Sequence, residues 1–407
     1  MKTIELIYCD AGGGHRSAAD ALRDIAQRER RSWRVRQTNL LDLFGELDVW
    51  RKLTGISGED GYNGMLRRGW TLGSPLMLRV FHSVVRRSHR SQVALLERHW
   101  RAQRPDAVVS LIPHFNRALY DAIQRTIPGV PLVTILTDLA DSPPHFWIER
   151  EQAQYFVCGT SLAREQALAA GHPDDRVFRT SGMILNPRFY DPAGPRDRAE
   201  LAALGLDPAL PAALVMFGGY GSAAMRTIVQ RLDASGLRVQ VIAVCGRNER
   251  LEASLRAIPL RIPAHITGFA RDVSRLMRCA DFFIGKPGPG SISEALAMGL
   301  PVIVERNAWT MPQERYNTEW VEQQGVGIAV RGFRRDVVRA VATMIDPDER
   351  ARFTARVGEY RNRAVFEIPD ILERVLGGAH RAPAFSAAPR SASSGSESST
   401  RRGCPWV

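Results

Sequence analysis

Three glycine-rich turns carry the residues best suited to chemistry in this 407-residue sequence. The first, CDAGGGHRSAADAL, closes Gly12, Gly13 and Gly14 with His15, just where a helical pattern begins. A positive charge is disfavoured at a helix N-terminus, so the His15 imidazole is expected to titrate low and to stay neutral, as a general base must. The second turn, MFGGYGSAAM, contains Gly218 and Gly219; the third, GKPGPGSISEAL, contains Gly288, Gly290, Ser291 and Glu294. Glycine lets a backbone come close to a ligand, and the helix that follows offers free N–H groups and a positive dipole end. Phosphate is the natural guest. None of the turns is a P-loop, which needs Lys-Ser/Thr after its last glycine, and AGGGHRSA lacks the Gly-x-Gly-x-x-Gly spacing of dinucleotide sites. Asp138, in TDLAD, is a second candidate base, and Asp141 a weaker one.

The elements that must position these residues follow a simple alternation. TIELIYCD, DAVVSLIP, PLVTILTD and QYFVCGT are apolar runs of strand length, each followed by a helical pattern. AALVMFGG, VQVIAVCG, AHITGF, DFFIGK and PVIVE repeat the arrangement in the second half. Continuous apolar strands separated by helices predict parallel sheets covered on both faces. Two such series predict an α/β protein of two doubly wound, Rossmann-like domains facing a cleft. In such sheets ligands bind beyond the carboxyl ends of the strands, where the glycine turns lie. The expected division is 1–190 for an acceptor- and membrane-facing domain, 191–378 for a nucleotide-binding domain, and 379–407 for a disordered Ser/Ala/Pro/Arg-rich tail. The last helices are expected to pack back on the first domain.

Composition narrows the class. Hydrophobic residues make up 44% of the chain, enough for two cores, and no apolar run reaches the roughly 20 residues of a bilayer span. MKTIELIYCD is too short for a signal peptide and reads as a first strand, which points to a cytoplasmic protein. Five scattered cysteines (Cys9, Cys158, Cys245, Cys279, Cys404) point to reduced thiols. The net charge of +12 is almost all arginine; lysine occurs only at Lys2, Lys52 and Lys286. Between residues 50 and 104 the alternation breaks down. There Trp50, Trp70, Met77, Leu78, Val80 and Phe81 are interleaved with arginine and glycine, and PLMLRVFHSVVRRSHR predicts an amphipathic helix with a basic end. Such a helix suits an anionic membrane surface. No nucleic-acid motif is present, and no nucleic-acid partner is expected.

GGGHRSAADALRD, TDLADSPPHFW, LVMFGGYGS, VCGRNERL, HITGF, KPGPGSISEALAMGLPVIV and PQERYN, in that order, resemble the monogalactosyldiacylglycerol synthases and the related peptidoglycan N-acetylglucosaminyltransferase. These are inverting glycosyltransferases of the GT-B fold. The resemblance implies transfer of a hexose, galactose or glucose, from a UDP-sugar to a membrane lipid such as diacylglycerol. It implies that Gly288, Gly290 and Ser291 lie against the diphosphate and ribose, with Glu294 on the ribose hydroxyls. Phe269 and Ala270 would read uracil through their backbone, and Gln313 and Glu314 would meet the sugar. Gly218 and Gly219 belong to the same donor site, and Arg247, after a strand, is placed to touch the nucleotide. His15 and Asp138 are the catalytic candidates. No cofactor and no metal are expected, because Asp138 and Asp141 are not the Asp-x-Asp pair of metal-dependent glycosyltransferases. The expected location is peripheral, on the inner face of the cell membrane. Two positions depart from the family: Pro143 stands where a histidine is usual, and Asn186 where many relatives carry an arginine that Arg188 would replace. A UDP-sugar epimerase of the same architecture and a non-enzymatic nucleotide- or lipid-binding module are the alternatives.

Overall fold

The computed structural model describes residues 1–10, 13–45, 83, 85–190, 196–308 and 310–378. Gly12, Trp50, Trp70, Met77, Leu78, Val80, Phe81, Cys404 and the tail 379–407 lie outside the described residues.

Six strands form the first sheet: β1 Lys2–Tyr8, β2 Trp33–Asn39, β3 Ala107–Ser110, β4 Leu132–Ile135, β5 Tyr155–Cys158 and β6 Val177–Arg179. Six more form the second: β7 Ala212–Met216, β8 Gln240–Val244, β9 Ala264–Thr267, β10 Phe282–Gly285, β11 Val302–Glu305 and β12 Gly327–Val330. All pairings are parallel, in the orders β2-β1-β3-β4-β5-β6 and β12-β11-β10-β7-β8-β9. The central strands β3, β4, β7, β8 and β10 are buried along their whole length, which is why they read as unbroken apolar runs. Each order reverses once, between β1 and β3 in the first sheet and between β7 and β10 in the second. A reversal leaves a crevice at the strand ends, and ligands bind there. The first glycine turn follows β1; the second and third follow β7 and β10.

The β1 run contains one buried charge. The Glu5 carboxylate accepts hydrogen bonds from Thr38 Oγ1 (2.6 Å), His99 Nε2 (2.7 Å) and Trp100 Nε1 (2.9 Å). Burial pushes its pKa up, but these bonds outweigh that and hold it below the usual carboxylate range. The contact fastens the helix His89–Gln103 to the sheet, and that helix buries Val93, Leu95, Leu96 and Trp100. Full burial of such side chains stabilises by about 1.5–3 kcal/mol each. Residues 89–103 are therefore a core helix. This corrects the expectation that the whole 50–104 segment meets a membrane; only residues before His89 remain available for that role. Among the described residues no helix is long and apolar enough to cross a membrane.

The chain ends, within the described residues, by returning to the first domain. The helix Ala364–Gly378 buries Ala364, Val365, Ile368, Ile371, Leu372, Val375 and Leu376 in the core of β1, β3 and the helix Gly14–Arg28. Its entry is fixed by Asn362, which donates to the Met183 carbonyl (2.8 Å) and accepts from Ala364 N (3.0 Å). Glu367 takes the Ser181 hydroxyl (2.6 Å) and N–H (2.8 Å). At Gly182 a Cβ would come within 2.6 Å of both Asn362 and Tyr360, so the crossing requires glycine there. Asn362→Ala leaves the buried Met183 carbonyl unpaired, which costs about 1–3 kcal/mol. The expected result is a lower urea midpoint at unchanged m-value; an unaltered midpoint would mean that the return crossing is not fixed by this side chain.

Candidate active site

His15 is the second residue of the helix Gly14–Arg28, which starts from Gly13 in the left-handed region (φ 83°). Its Nδ1 is 3.0 Å from Thr137 Oγ1, and the ring hydrogen-bonds the Leu111 carbonyl. Its ring centroid lies 6.0 Å from that of Trp147. The imidazole pKa falls to about 4, and the principal cause is burial.

Asp138 follows β4 and is 8% exposed. Trp147 Nε1 donates to its Oδ2 at 2.8 Å. Burial raises its pKa to about 7; the Trp147 bond lowers it, Glu314 raises it, Lys286 lowers it and Asp141 raises it. Glu314 and Lys286 belong to the other domain, so Asp138 sits where the two meet.

Asp141 has a different task from the base suggested for it. Its Oδ1 accepts Trp147 N–H (2.7 Å) and its Oδ2 accepts His145 N–H (2.9 Å), with the Phe146 and Ile148 N–H groups also bonding it. Burial nevertheless raises its pKa. With its lone pairs taken by backbone, Asp141 orders the loop that carries Trp147.

In the second domain the glycine turns close around Lys286. Gly218 and Gly219 start a 3₁₀ turn after β7; a Cβ on Gly218 (φ 70°) would stand 3.6 Å from Lys286 Cε. Lys286 follows β10, and its Nζ pairs with Glu314 Oε1 at 3.0 Å. Gly288 caps the helix Pro289–Ala297, whose first turn holds Gly290 and Ser291 and which carries Glu294 just beyond it. Asn317 Nδ2 fixes this turn through the Pro287 carbonyl (2.8 Å). Burial raises the Glu294 pKa to about 7, opposed by the charge of Arg188. Arg188 itself bonds Asn186 Oδ1 (2.9 Å) and the Arg271 carbonyl across the domain junction (2.7 Å). Gln313 and Glu314 open the helix Pro312–Gln324, and Gln313 Oε1 is buried with no hydrogen-bond partner. Phe269, 54% exposed and next to Ala270, has the Arg247 guanidinium 4.9 Å from its ring centroid. Arg247 N–H in turn donates to the Gly219 carbonyl (2.8 Å).

The result is a cleft with polarised walls. One wall offers two helix starts and a lysine, which suit a diphosphate. The other offers a neutral imidazole and a carboxyl that titrates near pH 7. Among the described residues no three His, Cys, Asp or Glu side chains come together to hold a metal ion.

Comparison with known proteins agrees with this architecture. Residues 213–358 match the glycosyltransferase family 28 C-terminal domain. A probable chloroplastic monogalactosyldiacylglycerol synthase 3 of Oryza sativa subsp. japonica is 30% identical over 366 residues, 85% of this chain and 68% of the rice protein. The chain belongs to the monogalactosyldiacylglycerol synthase family. Monogalactosyldiacylglycerol synthase 1 of Arabidopsis thaliana is 28% identical over 343 residues, covering 80% of this chain and 62% of that protein. Among solved structures, Acinetobacter baumannii MurG superposes with a TM-score of 0.61 at 13% identity, over 92% of this chain and all of that one. The Anabaena HepE protein in complex with UDP-glucose gives 0.52 at 16% identity, over 93% and 100%. The fold is GT-B, and the protein is a glycosyltransferase of the glycolipid-synthesising kind.

Within that family fold, three residues at the centre of the cleft had no role assigned from sequence. Lys286 had a signal: it is one of three lysines in an arginine-dominated chain and stands inside a glycine turn. Trp147 and Thr137 had none, because only the fold brings their loops to Asp138 and His15.

Buried carboxyls that titrate near 7 cost stability. Their folded pKa exceeds the unfolded value near 4, so stability falls as pH rises from about 4 to about 7 and the full cost is present above that window. Asp138→Asn and Glu294→Gln remove the ionisation. At pH 8 each variant is expected to gain about 1–3 kcal/mol by urea titration, with the gain shrinking toward zero at pH 4. A gain independent of pH would refute the raised pKa values.

Proposed function

We infer that this enzyme transfers galactose from UDP-galactose to diacylglycerol with inversion at the anomeric carbon. The observation that carries this is the meeting of Asp138 with Lys286 and Glu314 at the strand ends of two sheets. It puts a proton acceptor opposite a phosphate cradle. The names of the relatives support the lipid acceptor and the galactose; the UDP-glucose in the HepE complex supports a UDP-sugar donor.

The donor is held by the second domain. Gly288, Gly290 and Ser291 take the diphosphate at the start of the helix Pro289–Ala297, and Gly218 and Gly219 leave room for it. Glu294 accepts the ribose hydroxyls, which supply the hydrogen bonds its half-buried carboxylate needs. The backbone at Phe269 and Ala270 reads uracil, and Arg247 stands over the Phe269 ring. Gln313 and Glu314 take the sugar hydroxyls. As the bond from C1 to the β-phosphate breaks, Lys286 neutralises the growing negative charge, so the leaving group needs no metal.

The acceptor hydroxyl attacks C1 from the side opposite UDP. Asp138 takes its proton and then returns it to solvent. A base with a pKa near 7 matches this task better than one near 4. That inverts the order of the two candidates: His15, tied to Thr137 and Leu111, lines the acceptor side and stays neutral there. No cofactor takes part. The enzyme is peripheral, on the cytoplasmic face of the membrane, and the segment before His89, with exposed Arg86 and Arg87, meets anionic lipid, helped by the exposed Arg90 at the start of the core helix.

The deciding experiment incubates the protein with radiolabelled UDP-galactose or UDP-glucose and vesicles containing diacylglycerol and phosphatidylglycerol. Thin-layer separation then follows the label. Galactolipid of inverted configuration is expected; interconversion of UDP-sugars without lipid would favour the epimerase. Asp138→Asn should slow transfer by roughly 10²–10⁴ with UDP affinity intact, and the acid limb of the wild-type rate should lie near pH 7. If Asp138→Asn keeps that limb while His15→Ala abolishes it, the base is His15.

The membrane contact has its own check. Replacing Arg86, Arg87 and Arg90 by glutamine should reduce sedimentation with anionic vesicles by about 3 kcal/mol, roughly 1 kcal/mol per charge. Equal pelleting of the triple variant would place the anchor elsewhere.

A further inference from the structure

Trp147 lies between the two catalytic candidates. It touches Asp138 through its indole N–H (2.8 Å), and its ring centroid lies 6.0 Å from that of His15, the planes tilted by 55°. What holds it there is one carboxylate. Asp141 is 6% exposed and gathers four consecutive N–H groups, those of His145, Phe146, Trp147 and Ile148. Its own backbone is fastened on both sides: the Asp141 N–H donates to Gln166 Oε1 (2.8 Å) and its carbonyl accepts from Gln166 Nε2 (3.1 Å). The loop starts beside Leu139, whose carbonyl accepts the Thr160 hydroxyl, and ends with His145 Nδ1 at 3.3 Å from the Ile148 carbonyl. Loop 141–148 is thus wound around a single side chain, and Gln166 ties that side chain's backbone to the helix Ser161–Ala169.

We propose that Asp141 is a positioning residue for the transfer reaction: by gathering the backbone of residues 145–148 it presses the Trp147 indole onto Asp138, and this one donor sets the protonation state of the proton acceptor. The proposal rests on Asp138 as that acceptor. The groups facing Asp138 are few. Glu314 and Lys286 reach it from the opposite domain, Asp141 from its own loop, and the nearby imidazole of His15 is neutral at working pH. Lys286 and Glu314 pair with each other at 3.0 Å, so their effects on Asp138 oppose one another. Of the influences that favour the ionised form, the indole bond is the largest. It stabilises the carboxylate over the acid and keeps Asp138 able to accept a proton near neutrality. Pro143 fits this picture, because a proline donates no N–H and leaves the Asp141 oxygens to the residues beyond it.

The test reads Asp138 directly. Protein labelled with ¹³C-carboxyl aspartate is titrated without substrate, and the Asp138 signal is the one absent from Asp138→Asn. Trp147→Phe keeps an aromatic ring but removes the donor, and should raise the midpoint by roughly one pH unit. Asp141→Asn should also raise it, although loss of a neighbouring negative charge alone would lower it; the sign therefore separates positioning from charge. The double variant should rise no further than Trp147→Phe, because both changes act through one bond. Gln166→Ala, which removes no charge, should move the midpoint upward as well and stands in if Asp141→Asn does not melt cooperatively. A downward or absent shift in folded Asp141→Asn and Gln166→Ala overturns the positioning role, and an unmoved midpoint in Trp147→Phe overturns the tuning. The same variants are then assayed for transfer. If the midpoints move while the acid limb of the rate does not, Asp138 is not the base and the positioning of its carboxyl still stands.

Discussion

The carboxyl of Asp138 is buried where two domains meet, and the cleft is organised around that fact. A buried carboxylate is costly unless its environment supplies donors or opposite charge. Here one donor comes from Trp147 and one cation, already shared with Glu314, from the facing domain. The group is left balanced near pH 7 instead of fully ionised or fully neutral. The carboxylate of Glu5, elsewhere in the molecule, is settled. Glu5 is equally buried, but three donors hold it ionised. The contrast between Glu5 and Asp138 separates a carboxylate that fastens a helix from one left able to exchange a proton.

Topology explains why such a point exists. Each sheet reverses direction once, and each reversal leaves strand ends with no crossover above them. In the second sheet the reversal lies between β7 and β10, so the Gly218 turn and the Gly288 turn are neighbours although 70 residues separate them in sequence. Lys286 stands between them for that reason. In the first sheet the turn after β1 meets the ends of β3 and β4, bringing His15 to Leu111 and Thr137. The return helix Ala364–Gly378 then ties the end of the second domain to the core of the first. The two half-sites are held face to face by apolar packing and by Asn362 and Glu367, not by the site residues themselves.

Much of this was legible in the chain. The nine strands marked by continuous apolar runs are all present, because buried parallel strands need such runs on both faces. The strands that escaped are β2, β6 and β12, and all three lie at sheet edges. β2, WRVRQTN, buries only Trp33 fully; β6 has three residues; β12 begins with glycine. An edge strand has one neighbour and a half-solvated side, so its composition carries little signal. The glycine turns were equally plain: Gly13 and Gly218 take the left-handed backbone that favours glycine, and a Cβ on Gly285 would stand 2.5 Å from the Met216 carbonyl oxygen. The helix His89–Gln103 was misread for the opposite reason. Its arginines face outward, and its burial depends on His99 and Trp100 finding Glu5, a partner more than 90 residues away.

The loop 141–148 illustrates the limit of motif reading more sharply. As a string, Asp-Ser-Pro-Pro-His-Phe-Trp presents an acid, a histidine and two aromatics, and the acid invites a catalytic role. In the fold the acid faces inward onto backbone, the histidine is exposed, and the tryptophan reaches Asp138. A carboxylate whose lone pairs are filled by N–H groups forfeits some of those bonds when it accepts a proton, which favours its ionised form. Asp138, with one donor on one oxygen, forfeits far less. The chemical difference between two aspartates three residues apart is therefore a difference in how many donors each already holds. That number is set by the path of the backbone, which no spacing in the sequence records.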